Sequence, residues 1–168
     1  MGVALTFGLD VLAAEAGLDG IIGRLTDKRP MLEDIGAELE SSTRERFITN
    51  IAPDGQPWKP SLRAKLKGGR TLVDKGMSGL QGSVHYVVDG QDAVEVGAGG
   101  NAAKYAAIHQ TGGRITAKGK PLKFTLASGA FVQIDAVEIP ARPYLGLSLA
   151  NRAAIIEIAQ DHAAGAGA

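Results

Sequence analysis

The segment Pro30 to Ile51 constrains this fold more than any other. Leu32, Ile35, Leu39, Phe47 and Ile51 fall near one face at helical spacing, which predicts a long amphipathic helix. Pro30 suits a first turn, where its missing N–H matters least. Glu33 and Asp34 lie in early turns and Arg44 and Arg46 in late ones, which complements the helix macrodipole. Glu40 and Arg44 form an i,i+4 pair worth ~0.3 kcal/mol. Ala52-Pro53-Asp54-Gly55 then stops the helix with turn chemistry.

Such a helix must lay its stripe on something, and the rest of the chain supplies mostly strands. Ser83 to Val88 and Ala93 to Gly97 alternate around Asp89-Gly90, a hairpin pattern. Val84, Tyr86 and Val88 share one face of the first strand, and Val94 and Val96 one face of the second. Leu122 to Leu126 and Phe131 to Ile139 read as a second antiparallel pair around Ser128-Gly129. Ala102 to Gln110 reads as a helix ended by Thr111-Gly112-Gly113, with glycine available for a left-handed C-cap. Ser148 can cap a final helix from Leu149 to about His162.

The N-terminal part is less regular. Val3 to Phe7 suits a short strand, and Asp10 to Leu25 a helix or two short ones, weakened by Gly17, Gly20 and Gly23. Leu72 to Leu80 is expected to contain a helical turn. The expected class is α+β: an antiparallel β-sheet with a long N-terminal helix and a C-terminal helix packed on it. With 168 residues, one domain over 1–162 is expected. The low-complexity end, 163–168, reads as a flexible tail.

Composition narrows the function. Hydrophobic residues are 45% of the chain and aromatic ones 5%, so Ala, Val, Ile and Leu must fill most of a core. Lys plus Arg equals Asp plus Glu at 18 each, which gives no global attraction to nucleic acid and little repulsion between identical copies. Without cysteine there are no disulfides and no thiolate metal sites. Met1 to Leu12 has no basic n-region and is interrupted by Gly8 and Asp10, so it makes a poor signal peptide. No apolar run approaches the ~18 residues that span a bilayer. A protein assembled in the cytoplasm, with no membrane partner, is expected.

Catalytic chemistry is hard to find. His85, His109 and His162 lack metal-ligand spacing and no His-Glu-x-x-His pattern occurs. Gly97-Ala-Gly-Gly-Asn101 approaches a phosphate loop, but Ala102 stands where G-x-G-x-x-G needs glycine. Ser78, Ser83 and Ser128 lack a G-x-S-x-G elbow. Asp54 and Asp74 suit turns and caps. No enzyme site, metal or cofactor is expected. Two basic groups remain: Arg63, Lys65, Lys67, Arg70 and Lys75, and then Arg114, Lys118, Lys120 and Lys123. Both suit a solvated surface or a loop facing phosphates, and the second is the candidate DNA-facing group. Gly112 to Lys123, rich in glycine and basic residues, reads as an arm mobile in the free subunit and ordered on assembly. Trp58 must be a core anchor needing a partner for its N–H, or an intersubunit anchor.

Three stretches are similar to one family: Pro53-Asp-Gly-Gln-Pro-Trp58, Tyr105-Ala-Ala-Ile-His-Gln-Thr-Gly-Gly113 and Ile139-Pro-Ala-Arg-Pro-Tyr-Leu-Gly146. With Arg44-Glu-Arg-Phe47, Leu72-Val-Asp74 and Leu80-Gln-Gly-Ser83, their order and spacing resemble the phage virion morphogenesis family, the tail-completion and head–tail joining proteins of Mu-like and P2-like phages. Where that family usually has Asp-Thr-Gly and a basic residue, this chain has Asp74-Lys75-Gly76-Met77. The resemblance implies a non-enzymatic structural protein of the virion neck or tail end. It implies a homo-oligomeric ring, six-fold to match a tail tube, in contact with tail tube and head connector proteins. The alternative is a DNA-contacting connector module lining the DNA path through the basic loops. Trp58, Tyr105, His109, Gln110, Arg142 and Pro143 are then expected to organise the fold or a subunit contact. Arg142, stiffly held between Pro140 and Pro143, is expected in a buried or interfacial ion pair or carbonyl contact.

Overall fold

The computed structural model describes residues 11–73, 79–126 and 129–165, with side chains from residue 15. The strand expected at Val3 to Phe7, the residues Asp74 to Ser78, and Ser128 in the second turn lie outside the described residues.

Helix α1 (Val11–Thr26) is continuous despite its glycines, and Asp27 N extends its last turn onto Gly23 O. Helix α2 (Arg29–Thr49) begins one residue before Pro30. It ends where Asn50 turns left-handed at φ 58° and donates from its backbone N–H to Arg46 O. The Asn50 side chain adds a bond from Nδ2 to Phe47 O at 2.8 Å and accepts one from Thr71 N at 2.8 Å. Asparagine tolerates this conformation because its amide can satisfy local backbone groups. Ile51 therefore falls beyond the helix and is exposed, in a bridge with Pro57, instead of extending the buried stripe. Helix α3 (Leu62–Lys67) is capped by Ser61, whose Oγ accepts from Ala64 N.

Strands β1 (Val84–Asp89) and β2 (Ala93–Ala98) form the expected hairpin, with Tyr86 opposite Val96 and Val88 opposite Val94. This ladder lies against α2. A Cβ on Gly36 would stand 2.3 Å from Tyr86 Cδ2, so the glycine is what lets helix and strand approach. The expected Glu40–Arg44 pair is present at 2.8 Å and joins the two layers. Arg44 Nη2 donates to Val84 O at 2.8 Å, and Glu40 Oε2 accepts from Tyr86 N at 3.1 Å.

Helix α4 (Ala103–Thr111) ends at Gly112, φ 69°. The chain then departs from the sequence reading. Gly113–Thr116 is strand β3, and it pairs with β6 (Ala136–Ile139). Strand β4 (Leu122–Thr125) pairs with β5 (Phe131–Ile134). Phe131 to Ile139 is thus two strands broken at Asp135, whose carbonyl accepts from Ala117 N at 2.7 Å. Gly112 to Lys123 is not an unpaired arm: its first half is laddered, and backbone pairing stabilises what side-chain burial does not. Along the chain the β4–β5 ladder is nested inside the β3–β6 ladder, and the two together are the ribbon.

Among the described residues the strands form three separate two-stranded ladders within the α+β class. Helix α5 (Leu149–Ala164) packs on α2. Ser148 caps it in a capping box with Asn151, and it runs past the expected end at His162 to a left-handed Gly165. The core gathers Phe47, Trp58, Leu80, Val84, Ala106 and Tyr144. Phe47 stacks edge-on to Trp58 and tilted to Tyr144, with centroids 5.4 Å apart in both pairs.

Candidate functional site

The three family-like stretches, far apart in sequence, meet at residues 142–145. Trp58 is buried, and its Nε1 donates to Pro143 O at 2.8 Å. Its backbone N–H donates to Asn50 O at 2.7 Å, which ties the turn after α2 to the same point. Gln110, from the last turn of α4, accepts on Oε1 from both Tyr144 N and Leu145 N at 3.0 Å. Its Nε2 donates to Leu145 O at 2.9 Å. One amide thus satisfies three backbone groups of a proline-bounded segment that has no strand or helix partner of its own.

Arg142 is buried between these elements, and its guanidinium meets a backbone carbonyl. Its Nε donates to Lys59 O at 2.8 Å, and its backbone N–H donates to His109 O at 2.8 Å. The carbonyl form of the expected contact is therefore present. Gly112 lets the strand begin here: a Cβ would stand 2.6 Å from Ala141 N. Tyr105 lies half exposed beside His109, ring centroids 6.0 Å apart.

Arg46 stands in the last turn of α2 as expected, but its direction is a finding of the structure. It points inward and is buried. Nη1 donates to Tyr144 O and Nη2 to Asn151 Oδ1, both at 2.6 Å. Asn151 passes the chain on by donating from Nδ2 to Ser42 Oγ at 2.7 Å. Burial lowers the pKa of both Arg46 and Arg142 and raises that of the Tyr144 phenol. Burial, then the nearby Arg142 charge, lowers that of His109, so its imidazole is held neutral. His109 Nδ1 is buried without a hydrogen-bond partner.

Nothing in this arrangement is a nucleophile with a base. No group of three or more His, Cys, Asp or Glu that could hold a metal occurs among the described residues. Asp54 accepts from Gln56 N within its turn at 3.0 Å. Of the glycines in 97–101, Gly99 packs beside His85, which a Cβ there would approach to 2.7 Å. The cluster is a clamp on the backbone.

The basic residues of the ribbon lie apart from the clamp. Arg114 faces Glu138 across β3–β6 at 3.6 Å, while Lys118, Lys120 and Lys123 are exposed. No helix among the described residues is long and apolar enough to cross a membrane.

The model of the phage virion morphogenesis family matches residues 9–164, nearly the whole chain. This chain belongs to that family. It is therefore a phage virion morphogenesis protein, and its family is one of structural proteins. It is similar to the Mu-like prophage FluMu G protein 2 of Haemophilus influenzae, strain Rd, with 28% identity over 147 residues, covering 88% of this chain and 86% of the relative. No solved structure matches it.

Three of the residues singled out from sequence, Trp58, Gln110 and Arg142, converge with Pro143 on one segment. His109 reaches it through its backbone, and Tyr105 stands at the rim. Asn50, Arg46 and Asn151 were not found from sequence. Beside the local bonds of Asn50 to Phe47 and of Asn151 to Ser148, the partners that place them in the site, Thr71, Tyr144 and Ser42, lie far away in the sequence.

Proposed function

We propose that this protein forms a homo-oligomeric ring at the phage neck or tail end, completing the tail and joining it to the head. The observation that carries the reading is how the chain divides its residues. The family-like stretches are used inside the protomer, on the backbone clamp. Apolar side chains of α1 and α3 and several of the ribbon are left on the outside. A monomer gains nothing from this, whereas an assembly unit needs it. Family membership and likeness to a Mu-like prophage G protein support a place among virion structural proteins. Equal numbers of acidic and basic residues permit close packing of copies. Six-fold order would match a tail tube, and the tube end and head connector would be the neighbours.

Negative-stain imaging of the purified protein, alone and with isolated tail tubes, tests this. Rings, free or seated on a tube end, are expected. A monomer in both samples would end the reading.

Lys118, Lys120 and Lys123 favour a second reading, contact with passing double-stranded DNA. Filter binding should then fall steeply with salt. A flat salt response would remove it.

A further inference from the structure

Helix α1 turns its apolar side outward. Leu18, Ile21, Ile22 and Leu25 recur at i, i+3, i+4 and i+7 and are between 39% and 60% exposed. The half-buried positions, Gly20 and Arg24, lie on the opposite side. Arg24 fastens that side to the end of α5, donating from Nε and Nη2 to Ala163 O at 3.2 and 3.1 Å. A surface helix ordinarily lays its stripe on its own core. Here the stripe is uncovered among the described residues. Glu15 and Asp19 border one edge of it, both exposed and without an ion pair or hydrogen bond among the described residues.

A counterpart lies elsewhere on the same chain. Between α3 and β4 runs an open groove of about 610 Å³, lined by apolar Leu62, Phe124 and Leu126 and by Arg63 and Lys67. Leu62 and Leu66 are 64% and 57% exposed. The register of β4 and β5 puts Leu122, Phe124, Val132 and Ile134 on one face of the ribbon. Helix α3 contains basic residues and no acidic ones.

The geometry points to a contact between copies in which α1 of one lies in the groove between α3 and β4 of the next. The stripe supplies the apolar anchors of a helix-in-groove contact. Glu15 and Asp19 meet the basic edge of the groove at Lys67, which fixes its direction. The occupant is a second copy because each face carries the charge the other lacks, within a chain that is neutral overall. The two faces differ, so the contact is head-to-tail and propagates until it closes. This inference rests on the ring reading above.

Two double variants test it: Glu15→Lys with Asp19→Lys, and Lys65→Glu with Lys67→Glu. All four positions are exposed, and circular dichroism should match the parent. Sedimentation should show each variant associating at least about tenfold more weakly than the parent. Mixing the two restores both contacts in alternation, so even-numbered rings should return. The chain has no cysteine, so Ile22→Cys combined with Leu66→Cys should give a disulfide-linked ladder of protomers under oxidation. Parent rings with both reversals still forming rings, and no ladder, would overturn this contact while leaving the ring reading intact. Variants that keep the ring but lose tail-tube binding would give α1 to another virion protein instead. Loss of duplex DNA binding by the lysine variant, with its ring unchanged, would give α3 to DNA. A parent that stays monomeric with and without tail tubes would remove ring and contact together.

Discussion

Gln110 offers the sharpest test of the clamp. Replacing it by alanine removes three hydrogen bonds at once, from Tyr144 N, from Leu145 N and to Leu145 O. Each is worth about 1 kcal/mol net, and a buried group left unpaired costs more, ~1–3 kcal/mol. The segment is only part-buried, so water recovers some of the loss. The expected destabilisation is about 2–3 kcal/mol. For a chain of this length that lowers the melting temperature by roughly 5–10 °C, at ~2–4 °C per kcal/mol. Gln110→Met separates bonding from packing, since it keeps a side chain of similar reach and loses every polar contact. Thermal and urea unfolding of both variants, followed by circular dichroism, give the numbers. If hydrogen bonds hold the segment, methionine falls nearly as far as alanine. A methionine variant melting within about 1 °C of the parent would refute this account of how 142–145 is held.

Other consequences follow from particular contacts. Gly36→Ala should destabilise by roughly 1–3 kcal/mol although alanine favours helix, because its Cβ meets the Tyr86 ring; Tyr86→Ala should relieve part of that cost in a double-mutant cycle. Gly112→Ala should cost about 2 kcal/mol or more, since it combines a left-handed backbone with a clash against the backbone of Ala141. Gly119→Ala, left-handed but in open space, should cost only ~1 kcal/mol. The His109 pKa is lowered in the fold by burial and then by Arg142, so the unfolded chain takes up the proton first as pH falls. That stabilisation is complete above about pH 6.5 and is lost as pH drops through the window below it. Melting temperatures between about pH 7 and pH 5 should therefore fall more steeply for the parent than for His109→Gln.

Long periodic segments were legible in the sequence. The helix over Pro30 to Ile51 and the hairpin around Asp89-Gly90 needed only spacing and turn residues. The glycines of α1 did not break it, since a helix tolerates scattered glycine when tertiary contacts such as Arg24 with Ala163 hold its end. The ribbon was half legible. Phe131 to Ile139 reads as one strand because its alternation runs on through Asp135, and Gly113 to Thr116 is too short and polar to announce a strand. Arg46 illustrates the deeper limit. A late-turn arginine suits the macrodipole on any surface, and only Tyr144 and Asn151, about a hundred residues away, say that it points inward. Of the site, Trp58 was readable because a lone indole must find an acceptor. The place where the three motifs meet was not, because spacing along a chain carries no angle between elements.

The clamp also sets when this protein can finish folding as it is made. Phe47 and Trp58 are synthesised early, yet the ring and carbonyls that complete their surroundings belong to Pro143 and Tyr144, and Asn151 comes later still. Until the ribosome has passed those residues, α2 has an open apolar face and an arginine with no acceptors. A chain truncated anywhere before Tyr144 keeps its helices' local preferences but never closes its core. Incomplete products should therefore be recognised and degraded rather than built into a particle. In the proposed ring, where one defective member would spoil the whole, placing the fold's last fastening late in the sequence would act as inspection before assembly.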